Sequence, residues 1–214
     1  MKRVMRILRC DRRAVAMIEF AMILPVFLLM ALGAAELANY MTVRMRVSQL
    51  ALHLADHSAR IGTGSVLAEK TISDAMINDI LTGANLQAAE LNLYQRGRVV
   101  ISSLERQAGT SPQLYKIGWQ RCRGLQHHTP LYGSEGQTNM TGMGPTGAQV
   151  FAMENNSTIF VEVNYDYRPL IGERYVSFGD IVETAAMAVR DRRKMGEPDN
   201  AENVSKARCD QFTG

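Results

Sequence analysis

Cysteine is scarce: three residues in a chain of 214. That excludes the disulfide-dense scaffolds that small secreted domains rely on. Net charge is scarce as well, since 24 Lys and Arg face 21 Asp and Glu for a balance of +3. At 46% hydrophobic and 21% charged residues, the chain is neither an acidic disordered polymer nor a polytopic membrane protein. Its length suits one anchored domain with its own core. The net excess of positive charge sits in one place. Residues 1–14 hold Lys2, Arg3, Arg6, Arg9, Arg12 and Arg13 against Asp11, and the remainder has 18 basic and 20 acidic residues, near −2. The basic character therefore belongs to a leader, and no nucleic-acid partner is implied.

The leader gives way to an apolar run. Phe20 to Ala35 (FAMILPVFLLMALGAA) carries no charge, and counted from Ala14 the stretch is broken only by Glu19. About 20 helical residues cross a hydrocarbon core of about 30 Å, so residues 15–37 are expected to form one transmembrane helix in the lipid bilayer. Positive charge before the span and little after it predicts a cytoplasmic N-terminus and an extracytoplasmic body. A carboxylate within such a run costs about 2.5–3.5 kcal/mol on insertion scales, which marks Glu19 for a function unless it lies at headgroup level. Pro25 removes one helical hydrogen bond, either bending the span or shaping its packing.

The run RRAVAMIEFAMILPVFLLMALGAAELANY, with Glu19-Phe20-Ala21, Leu24-Pro25, a Leu-rich stretch, a Gly and an acid at Glu36, resembles the N-terminus of the TadE-like pseudopilins of tight-adherence (Flp-type) pilus systems. The resemblance covers residues 13–57. It implies a prepilin-type leader cleaved between Ala14 and Val15, with Ala14 standing where the family usually has Gly. It also implies a bacterial inner-membrane location, with a prepilin peptidase, related pseudopilins and the inner-membrane assembly platform as partners, and no catalysis. Cleavage would place a new α-amino group about one helical turn from Glu19. In low dielectric that carboxylate pairs with the amine of a neighbouring subunit and sets register; Phe20 and Pro25 belong to the same assembly segment. Two other readings stay open: a signal peptide cleaved near Ala35 that releases a periplasmic enzyme or binding protein, and an unprocessed membrane-anchored structural protein.

Beyond the span, Tyr40, Val43, Val47, Leu50, Leu54 and Ile61 recur at intervals of three and four, with His57 in the gap. This predicts a long amphipathic helix to about Arg60, packed by a sheet as in a pilin or serving as a stalk. Gly62 and Gly64 end it, and a second helix is expected from about Ser65 to Leu81. From Arg98 the period becomes two. Strands are expected at Arg98 to Leu104, around Tyr115 to Trp119, and at Thr158 to Tyr167, where Ile159, Val161 and Val163 share a face opposite Glu162, Asn164 and Asp166. Residues 180–190 form a strand or a short helix, the branched Ile181, Val182 and Val189 favouring the strand. The fold class is thus α+β: a single N-terminal transmembrane helix, a long amphipathic helix and a small antiparallel sheet. Residues 38–195 form the extracytoplasmic domain. Residues 124–156 read as a functional or mobile loop, and the polar tail, residues 196–214, reads as frayed.

Cys10 lies in the leader. Cys122 and Cys209 lie where oxidation is permitted, and a disulfide between them would close a loop worth on the order of 4 kcal/mol in the chain-entropy model. The remaining chemical cues are weak. Gly142 to Gly147 spells GxGxxG without a preceding strand or following helix, so no nucleotide site is expected. His53 and His57 are four residues apart but lack the Glu and third ligand of a zinc motif, and His127-His128 is no stronger. Asp180 and Glu183 fall on opposite faces of a strand, and no GxSxG elbow organises a hydrolase site. The Asn-x-Ser/Thr triplets at Asn139, Asn155, Asn156 and Asn203 are those that polar loops contain by chance. Neither a cofactor, a metal nor a small-molecule substrate is expected.

Overall fold

The computed structural model describes residues 12–64 and 68–214, with side chains from Val15 onward. The leader before Arg12, with Cys10, lies outside the described residues. Helix α1 runs Arg12–Arg60 and contains Pro25. Helix α2 is Asp74–Ala88, followed by a 3-10 turn, Ala89–Leu91, and a short α3, Leu93–Arg96. Four strands complete the order: β1 Gly97–Arg106, β2 Tyr115–Arg123, β3 Ser157–Tyr165 and β4 Ile181–Ala188. The sheet is antiparallel in the order β2-β1-β3-β4. The fold is α+β with a long N-terminal apolar helix, and residues 181–188 are a strand.

The chain divides into two compact units: α1 through Thr42 with Arg168–Ser177, and Val43–Tyr167 with Phe178–Gly214. In the second unit the central strands β1 and β3 are buried on both faces. Asp74, Asn78 and Thr82 of α2 bond to Arg121 and Arg123, which share a face of β2, and Arg44 of α1 pairs with Glu183 of β4 at 2.7 Å. The stripe on α1 is Val47, Leu50, Ala51, Leu54, Ala55, Ser58 and Ala59. It departs from the expected stripe after Leu54, where His57 is exposed and Ser58 and Ala59 are buried instead. A strict alternation of three and four drifts around a helix of 3.6 residues per turn, so the buried line moves to the next position.

Helix α2 starts nine residues later than its sequence pattern suggests and runs seven further. Ser73 is the reason: extended, it accepts a hydrogen bond from the Met76 amide at 3.4 Å and caps the helix. Ile72 is consequently buried outside the helix, and the expected start at Ser65 lies outside the described residues. Strand β3 ends at Tyr165, because Asp166 donates its amide to the Arg96 carbonyl instead of the ladder.

The segment 124–156 is a packed layer rather than a mobile excursion. Met140, Met143 and Ala152 join Leu104, Tyr115, Ile117 and Phe160 in one apolar cluster on the second sheet face. Glu162 and Asn164, which alternation places on a polar face, are buried with it. Glu162 accepts the Leu131 amide at 3.2 Å and the Asn164 side-chain amide at 3.0 Å. Burial pushes its carboxyl pKa up, and those two donors oppose the shift.

Nor is the tail frayed. A disulfide joins Cys122 to Cys209, Cys122 donates its amide to the Ala207 carbonyl at 2.7 Å, and Gly124 donates to Thr213 at 2.7 Å. Buried Arg98 donates to the Cys209 and Gln211 carbonyls, and its guanidinium lies 4.1 Å from the Phe212 ring centroid. Gly124 is required here. Its φ is +134°, and a Cβ would approach the Gly97 carbonyl oxygen to 2.2 Å.

Candidate membrane-association surface

In the first unit the residues singled out in the sequence all lie on α1. Ala14 and Val15 fall in its first turns, and Val15 is exposed. Glu19 and Phe20 come one turn later, both exposed, and Pro25 stands inside the helix without ending it. Large apolar side chains from Val15 to Leu32 point outward all round: Ile18, Phe20, Met22, Ile23, Phe27, Leu29 and Met30 are each more than 60% exposed. The helix contains a window of mean hydropathy 2.5, none of it buried, and is long and apolar enough to cross a membrane. A helix apolar on every face has its hydrophobic partner outside its own chain.

Glu36 closes this surface. It is 1% exposed, and its carboxylate accepts the Ile171 amide at 3.1 Å, which secures the Arg168–Ser177 segment to the helix within the same unit. The sequence marks Glu36 only as an acid after an apolar run. The segment that buries it arrives from 135 residues away, so no local pattern reports it.

The second unit holds two ionic devices that sequence reasoning misses. Arg121 is 1% exposed and bonds Asp74 at 2.7 Å, Glu135 at 2.8 Å and Glu197 at 2.7 Å. Burial acts to lower its pKa, but the hydrogen bonds and charges of Asp74 and Glu197 outweigh it, so the group is held more firmly protonated than usual. One cation thus fastens α2, the 124–156 layer and the tail to β2. Arg193 donates to the Ser58 and Ala59 carbonyls at 3.1 Å each, and to Ile61. It satisfies carbonyls that the end of α1 leaves without partners. Burial lowers its pKa to about 10. Both devices are structural: they fix elements and leave no reactive group presented.

The other candidates are placed without convergence. His53 bonds to Gln87, and its ring centroid lies 6.5 Å from that of His57. His127 packs on Phe212 with centroids 4.0 Å apart, and His128 lies 3.8 Å from Asp180. Among the described residues, no three His, Cys, Asp or Glu side chains are grouped to hold a metal. Glu183 is committed to Arg44. The 142–147 stretch is a turn within the loop, bridged by Met143 and Val150. Asn139, Asn155 and Asn203 have positive φ, a backbone conformation that asparagine tolerates better than most residues.

Residues 14–56 match the model of the TadE-like protein family. No curated protein and no solved structure matches the chain.

Proposed function

We propose that this chain, built on its TadE-like segment, is a membrane-anchored pseudopilin or assembly component of a tight-adherence (Flp-type) pilus, acting by helix–helix association in the bacterial inner membrane. The observation that carries the reading is the coincidence of the family match with a helix whose apolar side chains are exposed on every face. Such a helix partitions into lipid and, through Gly33, Ala34 and Ala35, offers close approach to other helices. The charge asymmetry of the leader sets the N-terminus in the cytoplasm and the body outside.

In this reading a prepilin peptidase cuts between Ala14 and Val15. The freed amine of one subunit then pairs with Glu19 of another, which offsets the desolvation of both groups and fixes the axial register of the spans. Phe20 and Pro25 shape the contact surface of the same segment. Related pseudopilins and the inner-membrane assembly platform are the partners. Continuation of α1 from Tyr40 to Arg60 argues against release by an ordinary signal peptidase, whose sites are normally followed by flexible chain.

The deciding measurement is the intact mass and N-terminal residue of the protein isolated from its own membrane, with and without the prepilin peptidase. A peptidase-dependent start at Val15 is expected. An intact leader in both preparations would make the chain a permanent anchor, and a start near Glu36 would remove the pseudopilin reading altogether. Glu19→Ala is expected to leave protein levels unchanged while abolishing piliation; normal pili with the variant would sink the register role.

A further inference from the structure

Segment Arg168–Ser177, which connects β3 to β4, belongs to the same compact unit as the apolar half of α1. Its height on that helix is fixed by the bond from the Ile171 amide to Glu36. From Val15 to Glu36 an α-helix rises about 31 Å, the thickness of a hydrocarbon core. If the apolar run spans the bilayer, Glu36 therefore sits at the far boundary and the segment bonded to it lies at headgroup level. The bond that holds the segment at this level is itself buried, since Glu36 is 1% exposed.

The side chains that the segment presents fit that level. Leu170 is 69% exposed and Tyr175 is 77% exposed, both large and apolar for a loop left in water. Gly172, at φ +102°, turns the chain and its carbonyl accepts the Tyr175 amide at 3.1 Å, closing a turn a few residues after Leu170. Arg168 pairs with Glu173 at 4.0 Å, and Arg174 is exposed. Tyrosine and arginine are the residues that combine an apolar body with a polar end and are favoured at membrane–water interfaces.

We propose that Arg168–Ser177 is a second membrane contact, lying in the headgroup region of the leaflet opposite the N-terminus, with Leu170 and Tyr175 inserted and Arg174 against lipid phosphate. The inference rests on the reading of α1 as a membrane span. Its consequence is that the anchor is a span plus a surface foot, which restricts rotation of the helix about its own axis and so defines the face offered to neighbouring spans.

The test uses the full chain with Cys10→Ser, reconstituted in vesicles of phosphatidylethanolamine and phosphatidylglycerol. An environment-sensitive fluorophore is attached in turn at Leu170→Cys, Tyr175→Cys, Leu28→Cys and Leu86→Cys. Lipids carry a nitroxide either at the headgroup or deep in the acyl chain. Headgroup nitroxide is expected to quench the labels at 170 and 175 several-fold more than the label at Leu86, an exposed position on α2, while deep nitroxide quenches the label at Leu28. Quenching at Leu28 with labels 170 and 175 behaving like Leu86 would overturn the foot and leave the span intact. No quenching at Leu28 would overturn both. Blue-shifted but unquenched emission at 170 and 175 would show them covered by another copy of the chain, which also overturns the lipid contact.

Discussion

One helix of 49 residues is built for two solvents, and its halves show how. Between Val15 and Leu32 apolar side chains surround the axis and the large ones other than Leu24 are exposed; between Val47 and Ala59 burial is confined to one stripe of mainly Val, Leu and Ala. Both halves belong to one continuous α-helix. The difference lies in the angular distribution of polarity. A full apolar circumference demands an apolar medium on all sides, whereas a stripe demands a single packed partner and leaves the opposite face to water. Polar groups obey the same division. Glu19 is exposed in the first half, while Ser58 at the end of the second is buried under the guanidinium that caps the helix.

The largest loss is expected at Arg121, on the sheet face that α2 covers. Arg121→Ala leaves Asp74 buried without its cation and should cost about 3–5 kcal/mol of stability, read as a large drop in the thermal midpoint of the body in detergent. Leu54→Ala, in the striped half, should cost about 2–5 kcal/mol in the same assay, because the side chain is 2% exposed and its removal leaves a cavity. Leu28→Asp, in the circumferential half, should instead leave that midpoint unchanged and lower membrane insertion by about 2.5–3.5 kcal/mol, read from the membrane-bound fraction. Equal effects of Leu54→Ala and Leu28→Asp on the midpoint would dissolve the two-solvent distinction.

Smaller effects separate buried from exposed charge within the body. Glu162 has a folded pKa above its unfolded value, so its contribution to stability is full in acid and is lost as pH rises through the folded pKa. Glu162→Gln should therefore stabilise the body at neutral pH, and the advantage should shrink as pH falls to the acid side of that titration. Arg46→Ala, which removes an exposed pair with Glu90 at 3.3 Å, should change stability by less than about 1 kcal/mol, and the change should vanish in high salt.

Much of this fold is written locally. The apolar run, the start of the stripe at Val47, Leu50 and Leu54, and the alternation in β1, β2 and β3 are repeats of a few residues, and each recurs at the period of its element. The second helix is legible as an element but not at its ends, because Ser73 as cap competes with an apolar pattern that begins earlier. The second sheet face misleads for a related reason. Alternation identifies Glu162 and Asn164 as one face but does not say whether water or another layer of chain meets it.

Hydropathy and periodicity are properties of neighbouring residues, and they suffice for the long apolar helix and the α+β class, while the TadE-like segment is legible from its residue motif. Only the folded chain makes residues 124–156 a layer, holds the tail on Arg98, and gathers Asp74, Glu135 and Glu197 around Arg121. Only there, too, is Glu36 buried beneath Ile171. Each of these depends on groups from different elements, most of them far apart along the chain, whose meeting is set by chain topology. A buried charge is tolerated only where distant partners converge, and no window of the sequence contains that information.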